Sequence, residues 1–211
     1  MHPLLRPRRR EYDEVESLAM EHEEEFACEI PDYDDMIEFE QFLGEVKTAA
    51  VLKAWIDEVS ENDLLERFSV EPGDRYSAIL NAEWLLYASQ ELAKVLGIVG
   101  YTKHLSQLTE RVRHGVKAEL LPLVKLRGIG RVRARMLYNA GLRTVESLKR
   151  APISRLAGVP LIGVKLARLI KEQVGGVVEE EEWRRLEELE AEQKALTTFI
   201  EEEPGEDKEI N

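Results

Sequence analysis

The stretch RGIGRVRARMLYNAGLRT, residues 127–144, contains the pattern that decides the predicted fold. Gly128 and Gly130 flank Ile129, and Ala134 follows Gly130 by four positions. Glycine tolerates the positive φ angles of a tight turn and leaves backbone N–H groups uncovered. The stretch therefore predicts a helix-hairpin-helix, in which Ile129 points inward and Ala134 lets two helices approach closely. The uncovered N–H groups and the positive end of the next helix would form a site for a phosphate anion.

A second, weaker copy of the hairpin pattern occurs in LIGVKLARLI, residues 161–170. The aligned pairs are Gly130 with Gly163, Ala134 with Ala167 and Leu137 with Ile170. Leu161 stands where the first copy has Gly128, so we expect the second hairpin to be more structural than the first. Lys165 and Arg168 nevertheless stay within reach of a phosphate.

Basic and acidic residues are segregated along the chain. The 211 residues include 29 Lys and Arg and 42 Asp and Glu, a formal net charge of −13. Residues 111–173 hold 15 basic and 3 acidic residues, a balance of +12. Residues 178–211 hold 4 basic and 14 acidic residues, a balance of −10. This segregation predicts a basic working surface and an acidic tail.

The basic residues around the first hairpin make it the candidate for nucleic-acid binding. They are Lys125, Arg127, Arg131, Arg133 and Arg135. On a helix, Arg131 and Arg135 share one face and Arg133 lies on the other side. We therefore expect Arg131 and Arg135 to contact a nucleic-acid backbone, and Arg133 to contact another nucleic-acid segment or a neighbouring domain. The alternative is a solvated basic helix in a protein rich in ion pairs, but few acidic residues lie nearby in the sequence.

Composition indicates a soluble, cytoplasmic protein. Cys28 is the single cysteine, which excludes an internal disulfide and fits a reducing compartment. No apolar run is long enough to span a membrane, and the N-terminus lacks the core of a signal peptide. The four histidines show no metal-ligand spacing, and no nucleophile–histidine–carboxylate arrangement is evident. We expect no membrane association, no metal, no cofactor and no catalytic residue.

The spacing of apolar residues predicts an all-α protein, since they recur every three or four positions through most of the chain. Predicted helices are 12–26, 36–56, a short helix capped by Asn62 or Asp63, a long helix with Asp74 as N-cap, 102–113, 116–126 and 179–196. We expect a basic N-terminal segment over 1–10, a helical bundle over 11–118, a helix-hairpin-helix domain over 119–175 and an acidic tail over 176–211.

Trp84 lies on the polar side of the long predicted helix. Such an aromatic side chain is well placed to stack on an unpaired base. The alternative is a second buried face formed with Leu80, Ala88 and Val95, with Trp84 inside a bundle. The spacing alone favours burial.

The chain closely resembles the C-terminal part of archaeal superfamily-two DNA helicases of the Hjm (Holliday junction migration) group, over about residues 3–175. The resemblance rests on GEVKTAAVLKAWIDEVSENDLLERFSVEPGDRYSAILNAEWLLYASQELAKVLG, residues 44–97, and on RVRHGVKAELLPLVKLRGIGRVRARMLYNAG, residues 111–141. It implies a helical ratchet domain whose long helix stacks an aromatic side chain on the translocating strand. It also implies a small helix-loop-helix unit that holds emerging DNA.

The resemblance assigns roles to individual residues. Trp84 matches the stacking aromatic residue, which favours stacking over burial. Ser77 stands where relatives can carry an arginine, and we expect Arg75 or Tyr76 to replace that strand contact. Residues 133–135 match an Arg-Ala-Arg motif to which the family gives a role in braking or coupling unwinding.

The family's two RecA-like motor domains and winged helix have no match in this sequence. It contains no GxxxxGK[ST] motif, whose backbone amides and lysine hold ATP phosphates. We expect a DNA-binding module, either a separately encoded part of a split helicase or a fragment of one, that hydrolyses no ATP by itself. The expected partners are single-stranded, forked or branched DNA and a helicase motor subunit.

The acidic tail contains QKALTTFI, residues 193–200, with the spacing of a sliding-clamp-binding box. The matching residues are Gln193, Leu196, Phe199 and Ile200. The alternative is an apolar stripe of Trp183, Leu186, Leu189 and Leu196 that packs on the protein itself. The box supports a second hypothesis, an interaction protein whose tail recruits a sliding clamp or a motor subunit.

Overall fold

The computed structural model describes residues 5–202, except for the side chains of Val99 and of residues 193–202. These described residues form eleven α-helices and four short 3-10 helices, and they contain no β-strand. The predicted all-α class is confirmed. The chain divides into two compact units, residues 1–121 and 122–211. Between residues 5 and 202, no helix combines the length and the apolar character that a membrane crossing requires.

Five α-helices build the first unit. They are α1 (Tyr12–Glu21), α2 (Met36–Ile56), α3 (Glu61–Phe68), α4 (Pro72–Val95) and α5 (Thr102–His114). Ser60 is the N-cap of α3, and its hydroxyl accepts a hydrogen bond from the N–H of Asp63. The predicted cap at Asn62 or Asp63 is therefore wrong. Pro72 begins α4, because proline has a helical φ and its missing N–H is not needed there. Glu71 is the N-cap and Asp74 lies within the first turn, so the predicted cap at Asp74 is wrong.

Helix α2 forms the centre of the first unit, since it contributes to both hydrophobic clusters. In one cluster, the indole Nε1 of Trp55 donates a 2.8 Å hydrogen bond to the carbonyl oxygen of Val112. Gly115 ends α5 with φ +63°, and a Cβ atom there would lie 2.2 Å from the Trp55 ring, so only glycine fits. The other cluster joins α1 to α2 through Val15, Ala19, Phe39, Phe42, Leu43 and Val46.

Short helices and one long helix build the second unit. They are α6 (Leu121–Val124), α7 (Arg131–Asn139), α8 (Val145–Arg150), α9 (Ile153–Ala157), α10 (Val164–Gln173) and α11 (Glu180–Glu202). Ala134 of α7 and Ala167 of α10 are completely buried, as close helix packing requires. The predicted helix over 116–126 is instead the 3-10 helix Ala118–Leu120 followed by α6. Pro122 explains the break, because it has no N–H to donate to the preceding turn.

A buried ion pair attaches the N-terminal segment to α2. The ammonium of Lys47 lies 2.8 Å from Oε2 of Glu11, and both side chains are almost completely buried. Lys47 also donates to the carbonyl oxygen of Arg6, and the N–H of Leu5 donates to the hydroxyl of Thr48. Burial alone would raise the pKa of Glu11. The hydrogen bond and the charge of Lys47, together with the N–H of Arg8, outweigh burial and lower that pKa below its ordinary value of 4.5.

We predict that Glu11→Gln destabilises the first unit by about 3–5 kcal/mol, because it leaves the charge of Lys47 buried without a counter-charge. Since the pKa of Glu11 is lower in the folded state, its contribution is present above pH 4.5 and is lost as the pH falls through the folded-state value. Urea unfolding near neutral and near acidic pH measures the loss. The control is Glu66→Gln, at an exposed glutamate of α3. Equal unfolding midpoints for the two variants at neutral pH would contradict the prediction.

Candidate nucleic-acid interface

The first hairpin, residues 125–130, connects α6 to α7 and has an open outer side. Gly128 has φ +85°, and a Cβ atom on it would lie 2.9 Å from Cδ1 of Leu166, so glycine is required. Ile129 is buried and anchors the turn, as its position in the pattern predicts. Gly130 is the N-cap of α7, and a Cβ atom on it would have no neighbour within 4 Å. A side chain at this position would therefore meet no obstacle at the start of α7.

A side chain on the helix after each hairpin forms hydrogen bonds with the backbone of the other hairpin. Gln173, at the end of α10, accepts a 2.7 Å hydrogen bond from the N–H of Arg127 and donates a 3.1 Å bond to its carbonyl oxygen. Gln173 was not singled out from the sequence, because an exposed glutamine at a helix end carries no distinctive signal. In the opposite direction, Arg133 of α7 donates to the carbonyl oxygen of Leu161, at 3.1 Å.

Arg133 also contacts the backbone of its own hairpin. Besides Leu161, its guanidinium donates a 2.9 Å hydrogen bond to the carbonyl oxygen of Gly128. The side chain thus bridges the left-handed residues of the two turns. The contact of Arg133 with a second nucleic-acid segment or another domain stays a prediction, and these two bonds use the Nε and Nη1 donors of its exposed side chain.

The second hairpin repeats the turn of the first. Leu161 has φ +66°, the same left-handed conformation as Gly128, although leucine adopts it at a cost of about 1–2 kcal/mol. Gly163 is the N-cap of α10, as Gly130 is of α7. The leucine therefore does not change the backbone path of the hairpin. Its side chain is 61% exposed at the tip of the turn.

The predicted basic residues of the second unit differ in their exposure and in their partners. Lys125, Arg127 and Lys165 are exposed, and Arg131 and Arg135 are half-buried. Arg168 is engaged within the protein, because its guanidinium pairs with Glu172 at 3.1 Å and Glu180 at 3.6 Å and lies 4.8 Å from the centre of the Trp183 ring. The contact of Arg168 with a phosphate stays a prediction, and it would have to compete with these ion pairs.

One lysine of the basic segment contributes nothing to its surface. Lys171 is buried, and its ammonium donates 2.7 Å hydrogen bonds to the carbonyl oxygens of Lys149 and Ala151. These bonds join α10 to the end of α8. Burial lowers the pKa of Lys171, and the nearby carboxylate of Glu182 partly opposes that shift.

Trp84 lies on the surface of α4 with 67% of its area exposed. It borders a shallow groove of about 350 Å³ whose lining includes Leu80, Tyr87 and Arg113. Leu80 and Val95 are also exposed, so they do not form a second buried face. The alternative in which Trp84 packs inside the bundle is therefore wrong. An open indole beside other exposed aromatic and apolar side chains is suited to stack on a flat ring.

Arg75 lies in the core of the first unit. It is 9% exposed, its guanidinium lies 4.6 Å from the centre of the Trp55 ring, and its Nη2 is 2.9 Å from a carboxylate oxygen of Glu61. The prediction that Arg75 contacts a DNA strand is corrected, because the side chain is buried and its guanidinium is already paired with Glu61. Tyr76, the other candidate, is exposed on the same helix.

The residues of the predicted clamp-binding box, Gln193, Leu196, Phe199 and Ile200, belong to α11, but their side chains are outside the described part of the structure. Clamp binding therefore stays a prediction. In the alternative stripe, Trp183 is buried and Leu189 is exposed. Among the described residues, no three His, Cys, Asp or Glu side chains form a group that could hold a metal ion.

Comparison with known proteins assigns both units. The model "Archaeal helicase, domain 4" matches residues 1–115, and the model "SAM-like Helix-hairpin-helix tandem" matches residues 120–175.

Curated relatives agree with these matches. The ATP-dependent DNA helicase Hel308 of Methanocella arvoryzae is 41% identical over 173 residues, which are 82% of this chain and 23% of the relative. The Hel308 proteins of Thermococcus kodakarensis and Pyrococcus horikoshii are 45% and 47% identical, over 81% and 64% of this chain and 15% and 19% of their own lengths. The chain thus spans less than a quarter of each of these relatives. It belongs to the archaeal helicase domain 4 family and continues into a helix-hairpin-helix tandem.

Proposed function

We propose that this chain is a DNA-binding module of a helicase, in which the first hairpin holds the sugar-phosphate backbone of single-stranded or branched DNA. The observation that carries the proposal is the open turn at Gly130, at the positive end of α7, with Lys125 and Arg127 exposed beside it. The relatives support it, since they are named ATP-dependent DNA helicases. We infer that ATP hydrolysis requires a part of the helicase that this chain does not cover.

The hairpin recognises phosphate rather than base sequence. Backbone N–H groups at the start of α7 donate to phosphate oxygens, and the helix dipole adds a favourable partial charge. The neighbouring cations displace counterions from the DNA, so affinity falls steeply as salt rises. Contacts of this kind fix the position of the strand and carry no base information. Selectivity then comes from the shape of the DNA, with single strands, forks and junctions favoured.

Trp84 supplies a second contact, specific to unpaired DNA. Its exposed indole stacks on a base that is free of its partner strand, and each such stack contributes about 1–3 kcal/mol. A paired base within a duplex offers no free face to the side chain. The tryptophan therefore distinguishes single strands from duplex, while the hairpin binds the backbone of either.

We predict that Gly130→Glu weakens DNA binding about tenfold or more at low salt, because it places a carboxylate where the phosphate is proposed to lie. The backbone at Gly130 has φ −87°, which any residue adopts, and the site of the new Cβ atom is open, so the fold tolerates the change. Gly73→Glu is the matched control, since a Cβ atom there also has no neighbour within 4 Å. Fluorescence anisotropy with a labelled forked oligonucleotide measures both. Equal affinities for the two variants would refute the role of the hairpin.

We predict that Trp84→Ala weakens binding to single-stranded DNA by about five- to a hundredfold and leaves binding to blunt duplex nearly unchanged. Trp84→Phe retains an aromatic face and should recover most of the affinity. Because Trp84 is largely exposed, neither change should lower the melting temperature appreciably. The stacking role fails if Trp84→Ala binds single-stranded DNA as tightly as the unchanged chain does.

A further inference from the structure

The two hairpins differ in what lies against their glycine N-caps. A Cβ atom built on Gly130 meets open space, whereas one built on Gly163 would lie 3.3 Å from Oε1 of Glu190. Glu190 belongs to α11, the acidic helix that follows the second hairpin. A carboxylate of the chain itself therefore lies at the second hairpin, at the position that corresponds to the open turn of the first.

Several contacts hold α11 in this position. Trp183 is 7% exposed, and the guanidinium of Arg168, on α10, lies over its ring. Arg168 also pairs with Glu180, and a carboxylate oxygen of Glu182 accepts a 3.3 Å hydrogen bond from the N–H of Ser154. Glu190 follows Trp183 by seven residues, which places both on one face of the helix. The packing of Trp183 thus directs Glu190 toward the hairpin.

The chemistry of α11 matches that of a nucleic-acid backbone. Residues 180–192 contain seven glutamates and two arginines, a balance of −5. A carboxylate, like a phosphodiester, presents charged acceptor oxygens to N–H groups and cations at the start of a helix. Arg168, which faces Glu180 and Glu172, is one of the cations that the second hairpin would otherwise offer to DNA.

We propose that α11 is an autoinhibitory helix that occupies the second hairpin, so that a DNA phosphate reaches Gly163 only when Glu190 is displaced. The inference rests on the proposed DNA-binding function. In this arrangement the first hairpin binds DNA unaided, and the second hairpin binds the DNA backbone once the strand has displaced α11. Helix α11 therefore lowers the affinity of this basic surface for DNA until the DNA displaces it.

The test compares Glu190→Gln with Glu188→Gln in the full chain. Each variant removes one negative charge, but Glu188 is exposed and lies about 200° around α11 from Glu190. Glu190→Gln is expected to tighten binding of a labelled single-stranded oligonucleotide by about three- to tenfold, and Glu188→Gln by less than about twofold. Melting temperatures establish that both variants fold.

A second measurement needs no variant. Amide hydrogen exchange over residues 180–192 of the unchanged chain is expected to accelerate at saturating DNA, because displaced segments lose protection. Equal affinities of the two variants, with exchange over 180–192 unaltered at saturation, would overturn the autoinhibitory role and leave the proposed function standing. Failure of the unchanged chain to bind DNA at any salt concentration would overturn both.

Discussion

Hydrogen bonds exchanged between the two hairpins are the constraint on which the rest of the second unit depends. Gln173 pairs with both backbone groups of Arg127, and Arg133 bridges the carbonyl oxygens of Gly128 and Leu161. These bonds satisfy backbone groups of both turns and link each turn to the helix that follows the other. In the proposed function, the N–H groups at the start of α7, next to this connection, receive the phosphate.

The charge of the molecule has to be considered by segment rather than as a sum. The chain is acidic overall at −13, yet its helix-hairpin-helix segment carries a large positive balance. Both signs meet at the second hairpin, where Glu180 pairs with Arg168 and Glu190 lies beside Gly163. Under the proposed autoinhibition, this acidic helix lowers the affinity of the second hairpin for DNA. The first hairpin, where a Cβ atom on Gly130 would have no neighbour within 4 Å, is the proposed initial binding site.

The sequence predicts well those features that depend on local backbone geometry. Glycine spacing and small residues fix the hairpin turns and the close helix pairs, and the helical periodicity fixes the all-α class. The sequence predicts poorly the partners of long cationic side chains, because those partners depend on tertiary packing. Arg75, predicted to contact a DNA strand, is buried against Trp55, and the bonds of Arg133 to Gly128 and Leu161 were not predicted. Leu161 adopts a backbone conformation that the glycine rule reserves for Gly128, because the surrounding turn imposes it.

A nitrogen-15 NMR titration with a short single-stranded oligonucleotide tests most directly whether the first hairpin holds DNA. If it does, the amide signals of residues 130–132 shift progressively and saturate at the affinity obtained from anisotropy. At a fixed, subsaturating DNA concentration, these shift changes should become smaller as salt is raised, because the affinity falls. Saturable DNA binding that leaves these amide signals unmoved would contradict the proposal that the open turn receives the phosphate.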